Sequence, residues 1–382
     1  MDVNQTTPTP PAGPAPALRY DGRAGEIYPI FLMNLLLTIV TLGIFRFWAI
    51  TRMRRYVWSR MSFQGQRLTY TGTGGELFVG FLLAGLVLAA LFGAAIGAVY
   101  LLSQVDQDLV FIPMALLYAA ILVLALGAPF SAQRYRLSRT EWCGIRGGMR
   151  GSMIAYGLRA LLYWALVPLT LFQLTPWAQL RLAERRINAS SFGTAPFRAQ
   201  YSASTVYGRF LLCWIGLIVL AAVIAGVMWA TAGSAILDQL RTMQATHDQP
   251  ADGPAVQMMV QMIVTVGIAY VIFIVGAILI GALYQAFVLR HMADNTELGS
   301  MQFSGRFTAG GLLGLLIGNL LIMMFTLGFG YPFALSRSLR YVCNNFCATG
   351  TLDPATLRQT TDRAPRFGEG MFQQLDASGG ML

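Results

Sequence analysis

A sixteen-residue pattern occurs three times in this chain without a gap: T-L-G-I-F-R-F-W-A-I-T-R-M-R-R-Y at Thr41–Tyr56, T-L-F-Q-L-T-P-W-A-Q-L-R-L-A-E-R at Thr170–Arg185, and T-L-G-F-G-Y-P-F-A-L-S-R-S-L-R-Y at Thr326–Tyr341. Each copy has Thr-Leu, an aromatic-Ala pair seven residues later and an Arg four residues after the aromatic. Copies one and two stay in register further, Phe63 matching Phe192, Leu68 matching Phe197 and Phe81 matching Phe210. Upstream of copies two and three, Arg134, Thr140 and Glu141 answer Arg290, Thr296 and Glu297. A unit repeated at this scale restricts the architecture to an assembly of like parts.

Four segments without a charged residue, Leu77–Leu102, Leu109–Phe130, Phe210–Leu237 and Ala255–Leu289, exceed the roughly 20 apolar residues that cross a bilayer as a helix. With 55% apolar residues, 12% charged residues and a mean hydropathy of +0.56, the chain reads as an all-α integral membrane protein. The strands of an outer-membrane barrel would alternate polar and apolar over about ten residues, a pattern these segments lack. Backbone groups in hydrocarbon must be satisfied within the segment, which makes each span a helix.

Each copy of the pattern follows an apolar arm: Glu26–Val40, Ser152–Leu169 and Phe307–Phe325. Arginine placement constrains what the arms do. All 27 basic residues are arginine, and 26 of them lie outside the connections Ser103–Asp108 and Asp238–Pro254. The positive-inside tendency puts those two connections beyond the membrane and the remaining polar stretches, with the C-terminus, in the cytoplasm. The arms are flanked by arginines on both sides. They are therefore expected to be re-entrant, breaking at Gly43, Pro176 or Gly328 and returning as amphipathic segments. Seven simple crossings are the alternative.

The expected fold is thus one of triplicated helical units, with four full spans, three broken elements and small cytoplasmic β hairpins. Ser62–Gly75 and Ser191–Tyr201 alternate and carry glycine in the manner of such hairpins, and further short β elements are expected ahead of copies two and three. A Pro-rich disordered tail is expected over residues 1–20, one membrane domain over 21–352 and a polar tail over 353–382.

The chemistry-bearing candidates are arginines on the returning arms: Arg52 and Arg55, Arg181 and Arg185, Arg337 and Arg340. Arg52, Arg181 and Arg337 are equivalent, one helical turn beyond Trp48, Trp177 and Phe333. Three guanidinium groups at matched positions suit an anionic head group or phosphate; the plain reading is that they are interfacial anchors beside aromatic residues. Arg159, inside the second apolar arm, is either functional or snorkels to the surface. Glu26, Glu76, Glu141, Glu184 and Glu297 read as caps and local ion-pair partners. Four dispersed cysteines and two histidines give no metal-ligand spacing, no phosphate-binding loop or serine nucleophile is present, and no cofactor is implied.

The pattern of copy one, continued through F-Q-G-Q-R-L-T-Y-T-G-T-G-G-E-L-F-V-G, resembles the YjgN-like family over roughly Tyr20–Leu352. Copy two departs from it at Phe172-Gln173, and Phe333 stands for the Trp in copy three. The resemblance implies a multi-pass protein of the bacterial inner membrane and carries no catalytic residues. The functional expectation is a non-enzymatic transporter or lipid- and anion-interacting protein whose partners are membrane lipids, not nucleic acid. A scaffold that recruits cytoplasmic proteins is the alternative.

Overall fold

The computed structural model describes residues 15–233 and 252–359. It corrects the all-α expectation. The short strands join in one antiparallel sheet of eleven strands, β1 (Ala15–Pro16), β2 (Leu18–Tyr20), β3 (Met61–Phe63), β4 (Gln66–Tyr70), β5 (Thr140–Trp142), β6 (Ile145–Met149), β7 (Ser190–Phe192), β8 (Ala195–Ala199), β9 (Thr296–Leu298), β10 (Met301–Gly305) and β11 (Phe346–Thr349). The order is β1-β11-β10-β9-β8-β7-β6-β5-β4-β3-β2. Its two ends are consecutive pieces of chain. Ala15 pairs with Ala348, Leu18 pairs with Phe63, and only Ala17 separates β1 from β2. The sheet thereby comes round to near-closure as a barrel, which removes the exposed edges an open sheet would carry. Residues 15–20 form this closing segment, where a disordered tail was expected; residues 1–14 and 360–382 of the two tails lie outside the described residues.

Helices interrupt the strands in pairs. The chain runs from β2 through α1 (Ala24–Val40) and α2 (Arg46–Ser59) to β3, and from β4 through α3 (Gly74–Ser103) and α4 (Phe111–Ser138) to β5. It continues from β6 through α5 (Met153–Leu169) and α6 (Thr175–Asn188), and from β8 through α7 (Ala203–Met228) and α8 (Asp252–Asp294). From β10 it passes through α9 (Ala309–Phe325) and α10 (Tyr331–Asn345) to β11. The strands bracketing each excursion are neighbours, so every helix pair begins and ends at one side of the ring, and the tight β turns lie at the other. At Gln64-Gly65 and Cys143-Gly144 both turn residues have positive φ, the two-residue geometry whose twist matches that of paired strands. Thr73, Ser152 and Thr308 cap the helices that follow their strands, each accepting from the backbone N–H three residues on, Glu76, Ala155 and Gly311, which satisfies one orphan donor of each new helix.

The barrel interior holds a packed apolar cluster. Phe63 and Trp142 lie 5.1 Å apart, Trp142 and Phe192 6.1 Å, and Phe303 and Phe346 4.9 Å. The residues matched between copies one and two, Phe63 with Phe192 and Leu68 with Phe197, all pack against this cluster. Beyond β11 the chain crosses the turn side of the ring. Leu352 joins the core, and Gln359 accepts from the Arg146 N–H at 3.0 Å and donates to the Gly144 carbonyl at 3.4 Å.

Two compact units are distinguished: one of residues 1–203, 290–306 and 315–382, which holds the whole sheet, and one of residues 204–289 and 307–314. Within the second, Phe210 and Tyr284 cross at 5.5 Å, Gly276 leaves room for Leu220, and the Arg209 guanidinium stands 3.9 Å over the Phe287 ring. Among the described residues, four helices are long and apolar enough to cross a membrane: Gly74–Ser103, Gln107–Ser138 (which takes in a preceding 3-10 turn), Ala203–Met228 and Met259–Asp294. The helices α1, α5 and α9 are apolar and shorter, 17 residues each. Residues 234–251, which carry most of the connection expected at Asp238–Pro254, lie outside the described residues.

Candidate functional site

The repeated Thr-Leu is the reversal between an apolar helix and its return helix. Leu42, Leu171 and Leu327 take φ of 51°, 50° and 50°, a left-handed conformation that costs an L residue roughly 1–2 kcal/mol. The threonine before each leucine secures the bend. The Phe45, Leu174 and Gly330 N–H groups donate to the hydroxyls of Thr41, Thr170 and Thr326 at 2.9, 3.2 and 2.7 Å. Those hydroxyls donate in turn to the Leu37, Val167 and Ile322 carbonyls of the incoming helices. The leucines themselves touch little, being 94%, 70% and 88% exposed. Trp48, Trp177 and Phe333 stand in the first turn of the return helices, beside these tips, where they pack on Phe78, Tyr163 and Tyr28 respectively.

Arg52, Arg55, Arg181, Arg185, Arg337 and Arg340 are all exposed on α2, α6 and α10. Arg52 donates to the Asn34 side-chain oxygen at 3.5 Å and lies over the Phe45 ring. Arg181 pairs with Glu184 at 2.9 Å. Arg337 lies so close over Gly318 that a Cβ there would overlap its guanidinium. Each of these three matched arginines thus contacts its own helix pair. Arg55 and Arg340, also equivalent, donate to the Gly72 and Gly22 carbonyls at 3.0 and 2.9 Å, glycines two residues after β4 and β2. Arg185 reaches the Tyr163 hydroxyl at 3.4 Å. Arg159 is exposed in the second turn of α5.

A cavity of about 420 Å3 lies between α1, α2 and α10, which bring together copies one and three of the repeat. Its wall is mostly aliphatic and aromatic, with Phe31, Ile50, Met53 and Leu335, and includes Asn34, Thr38, Arg46 and Arg54. Arg54 is 2% exposed. Its Nη1 donates to the Tyr70 hydroxyl at 3.4 Å, and the guanidinium stands 5.9 Å from the centre of that ring. Asn34, 6% exposed, donates to the Ala49 carbonyl at 3.2 Å and so binds α1 to α2. Arg46, the first residue of α2, is exposed; its N–H donates to the Gly43 carbonyl at 3.1 Å, and its guanidinium has no hydrogen-bond or ion-pair partner among the described residues. The volume falls in the range of about 300–1,000 Å3 usual for small-ligand sites.

Neither Arg46 nor Arg54 was singled out by sequence reasoning, although a signal existed. The matching positions carry Thr175 and Tyr331 for Arg46, and Ala183 and Leu339 for Arg54, so these charges are where copy one breaks its own repeat. Glu26 and Glu76, expected as caps and local ion-pair partners, each sit in a carboxylate clamp that also takes a tyrosine hydroxyl. Glu26 accepts from the Tyr56 hydroxyl at 2.9 Å and pairs with Arg60 at 2.7 Å. Glu76 accepts from the Tyr135 hydroxyl at 2.9 Å and pairs with Arg139 at 3.0 Å. In both, a glutamate in the first turn of an outgoing helix is held by Tyr-x-x-x-Arg at the end of the returning one.

Residues 15–374 match the family model described as bacterial protein of unknown function (DUF898), and the chain belongs to that family. It is 25% identical over 383 residues, covering 91% of both chains, to the inner membrane protein YjgN of Salmonella typhimurium (strain LT2). It is 31% identical over 140 residues, 37% of this chain and 32% of the relative, to the protein of the same name from Escherichia coli (strain K12). No solved structure matches the chain.

Proposed function

We propose that this member of the family is a multi-pass protein of the bacterial inner membrane that acts without covalent chemistry, engaging anionic lipid through the arginines of its return helices. The sheet, the tight turns and the C-terminus face the cytoplasm in this reading, and the three 17-residue helices enter the bilayer from that side and come back. Each rises about 25 Å at 1.5 Å per residue, against about 30 Å of hydrocarbon. The tip leucines then stand near the far boundary, with Trp48, Trp177 and Phe333 in the interfacial layer that aromatic side chains favour.

The observation that carries the reading is the position of Arg52, Arg181 and Arg337. All three are exposed and sit six residues from the start of helices beginning at Arg46, Thr175 and Tyr331, about 9 Å from the tips. Guanidinium groups at such depth are costly unless a lipid phosphate, water or another anion meets them, and intramembrane charges of this kind mark functional sites. Arginine also offers the planar fork that matches phosphate oxygens.

Changing Arg52, Arg181 and Arg337 together to Gln tests this. The expected result is unaltered insertion and melting with loss of anionic phospholipid from the purified complex, measured by lipid mass spectrometry. Unchanged lipid content together with loss of a stoichiometric soluble protein would replace this reading with the scaffolding one.

A further inference from the structure

We infer that the cavity between α1, α2 and α10 is a site for one anionic phospholipid, its phosphate held by Arg46 and one acyl chain laid along Phe31, Ile50, Met53 and Leu335. This rests on the membrane placement proposed above and names a separate site within it. Arg46 and Arg54 both line the cavity and are eight residues apart on one helix, about 12 Å; Arg54 is 2% exposed and engaged with Tyr70, so the wall open to a ligand runs from a charged end at the hairpin tip into an apolar stretch. That polarity is the polarity of an amphiphile. A small hydrophilic anion would leave the aromatic and aliphatic wall unfilled, and a neutral chain would leave Arg46 unmatched.

Arg46 decides the orientation. It is exposed at the reversal between α1 and α2, and the chain just before it carries Leu42 and Ile44, both exposed and apolar. A guanidinium in such company finds its counter-charge in the phosphate layer, where charge-assisted bonds to phosphate are strong. With the tip near the far boundary of the bilayer, the phosphate comes from the leaflet opposite the sheet, and the chain descends toward Arg54. Ala49 is the small residue that keeps the middle open. It lines the cavity, while its backbone carbonyl is already used by Asn34.

The experiment is a native mass spectrometry titration of the full-length protein in mild detergent with phosphatidylglycerol or phosphatidylcholine of equal chain length, with and without inorganic phosphate. The expected result is a first phosphatidylglycerol adduct at least about tenfold tighter than phosphatidylcholine, a preference that Arg46→Gln removes and excess phosphate leaves in place. Ala49→Trp, which fills the cavity, should abolish the adduct; should it fail to fold, the exposed Arg46→Gln still decides. Retention of the preference in Arg46→Gln overturns the site, as does displacement of the lipid by phosphate alone. The Arg52/Arg181/Arg337 triple variant separates the two ideas. If it loses this first adduct while Arg46→Gln keeps it, the cavity site fails and the return-helix reading stands.

Discussion

The Trp142 indole N–H donates to the Phe63 carbonyl at 3.0 Å, joining β5 to β3 across the strand between them, and the two rings cross edge to face at 5.1 Å. Seventy-nine residues separate them in sequence, with two apolar helices in between. This contact ties the first helix pair to the second from below, and the ring packing continues from Trp142 to Phe192 at 6.1 Å. The barrel core, rather than helix packing alone, sets where each helix pair is rooted.

Trp142→Ala should therefore be among the most damaging single changes. The side chain is 1% exposed, and emptying such a site costs about 3–5 kcal/mol. Thermal unfolding in detergent should show a large fall in midpoint. A change confined to local fluorescence, with the midpoint intact, would mean the ring is not a structural centre.

The tips make the opposite forecast. Leu42→Gly relieves a left-handed residue and removes a side chain that packs on nothing, so detergent-solubilised protein should gain up to about 1 kcal/mol. Leu42→Val should lose stability, because a β-branched residue tolerates that conformation worse. Melting the two variants side by side checks the sign, and equal midpoints would contradict the geometry.

Much of this was legible in the sequence where the physical signal is long. A span needs about 20 apolar residues in a row, and the four long helices supply them. The Thr-Leu reversal was visible as a break, though its left-handed leucine was not. The strands are two to five residues long, enough for alternation to mark local hairpins at Ser62–Gly75 and Ser191–Tyr201, but each also pairs with a strand reached only after a helical excursion. That is why separate small hairpins were expected where one sheet exists. Phe63, Phe192, Leu68 and Phe197, aligned by the sequence pattern, all pack against one interior cluster, a relationship that needed the ring to be seen. The even-numbered helix pairs lack the Thr-Leu motif, so three repeated units and two pairs of full spans were expected as different things, where five helix pairs alternate with strands in one ring. Ser59-Arg60-x-x-Phe63-x-Gly65 and Ser138-Arg139-x-x-Trp142-x-Gly144 were the available clue.

The clamp at Glu76 should behave as a unit. Its carboxylate and the Arg139 guanidinium are mostly buried, at 25% and 19% side-chain exposure, and Glu76→Gln should destabilise by about 1–3 kcal/mol. Arg139→Gln in the same background should add less than it does alone, since both changes break one contact. Full additivity in a double-mutant cycle would show the pair to be uncoupled.

Acid stability should depend slightly on Asp21. The hydrogen bond from Arg67, at 2.6 Å, holds the Asp21 carboxyl below its usual range. A depressed folded value contributes stability above the unfolded aspartate value of about 3.9, and the contribution is lost as pH falls through the lower folded value. Both side chains are more than half exposed, which limits the effect to less than about 1 kcal/mol. Asp21→Asn should lower stability at neutral pH by that amount and leave it unchanged once the pH lies below the depressed folded value of Asp21, as read from melting points across the range.

The claim on which the account turns is that the chain before α5 and the chain after α6 share the cytoplasmic side. Cys143 is exposed at the β5–β6 turn, and Thr194 lies at the β7–β8 turn beside it in the ring. In a chain whose other three cysteines are replaced by Ser, Cys143 and a Thr194→Cys variant can each be treated with a membrane-impermeant maleimide. Both should stay unmodified in spheroplasts and react in inverted inner-membrane vesicles. Modification of either position in intact spheroplasts would contradict the account.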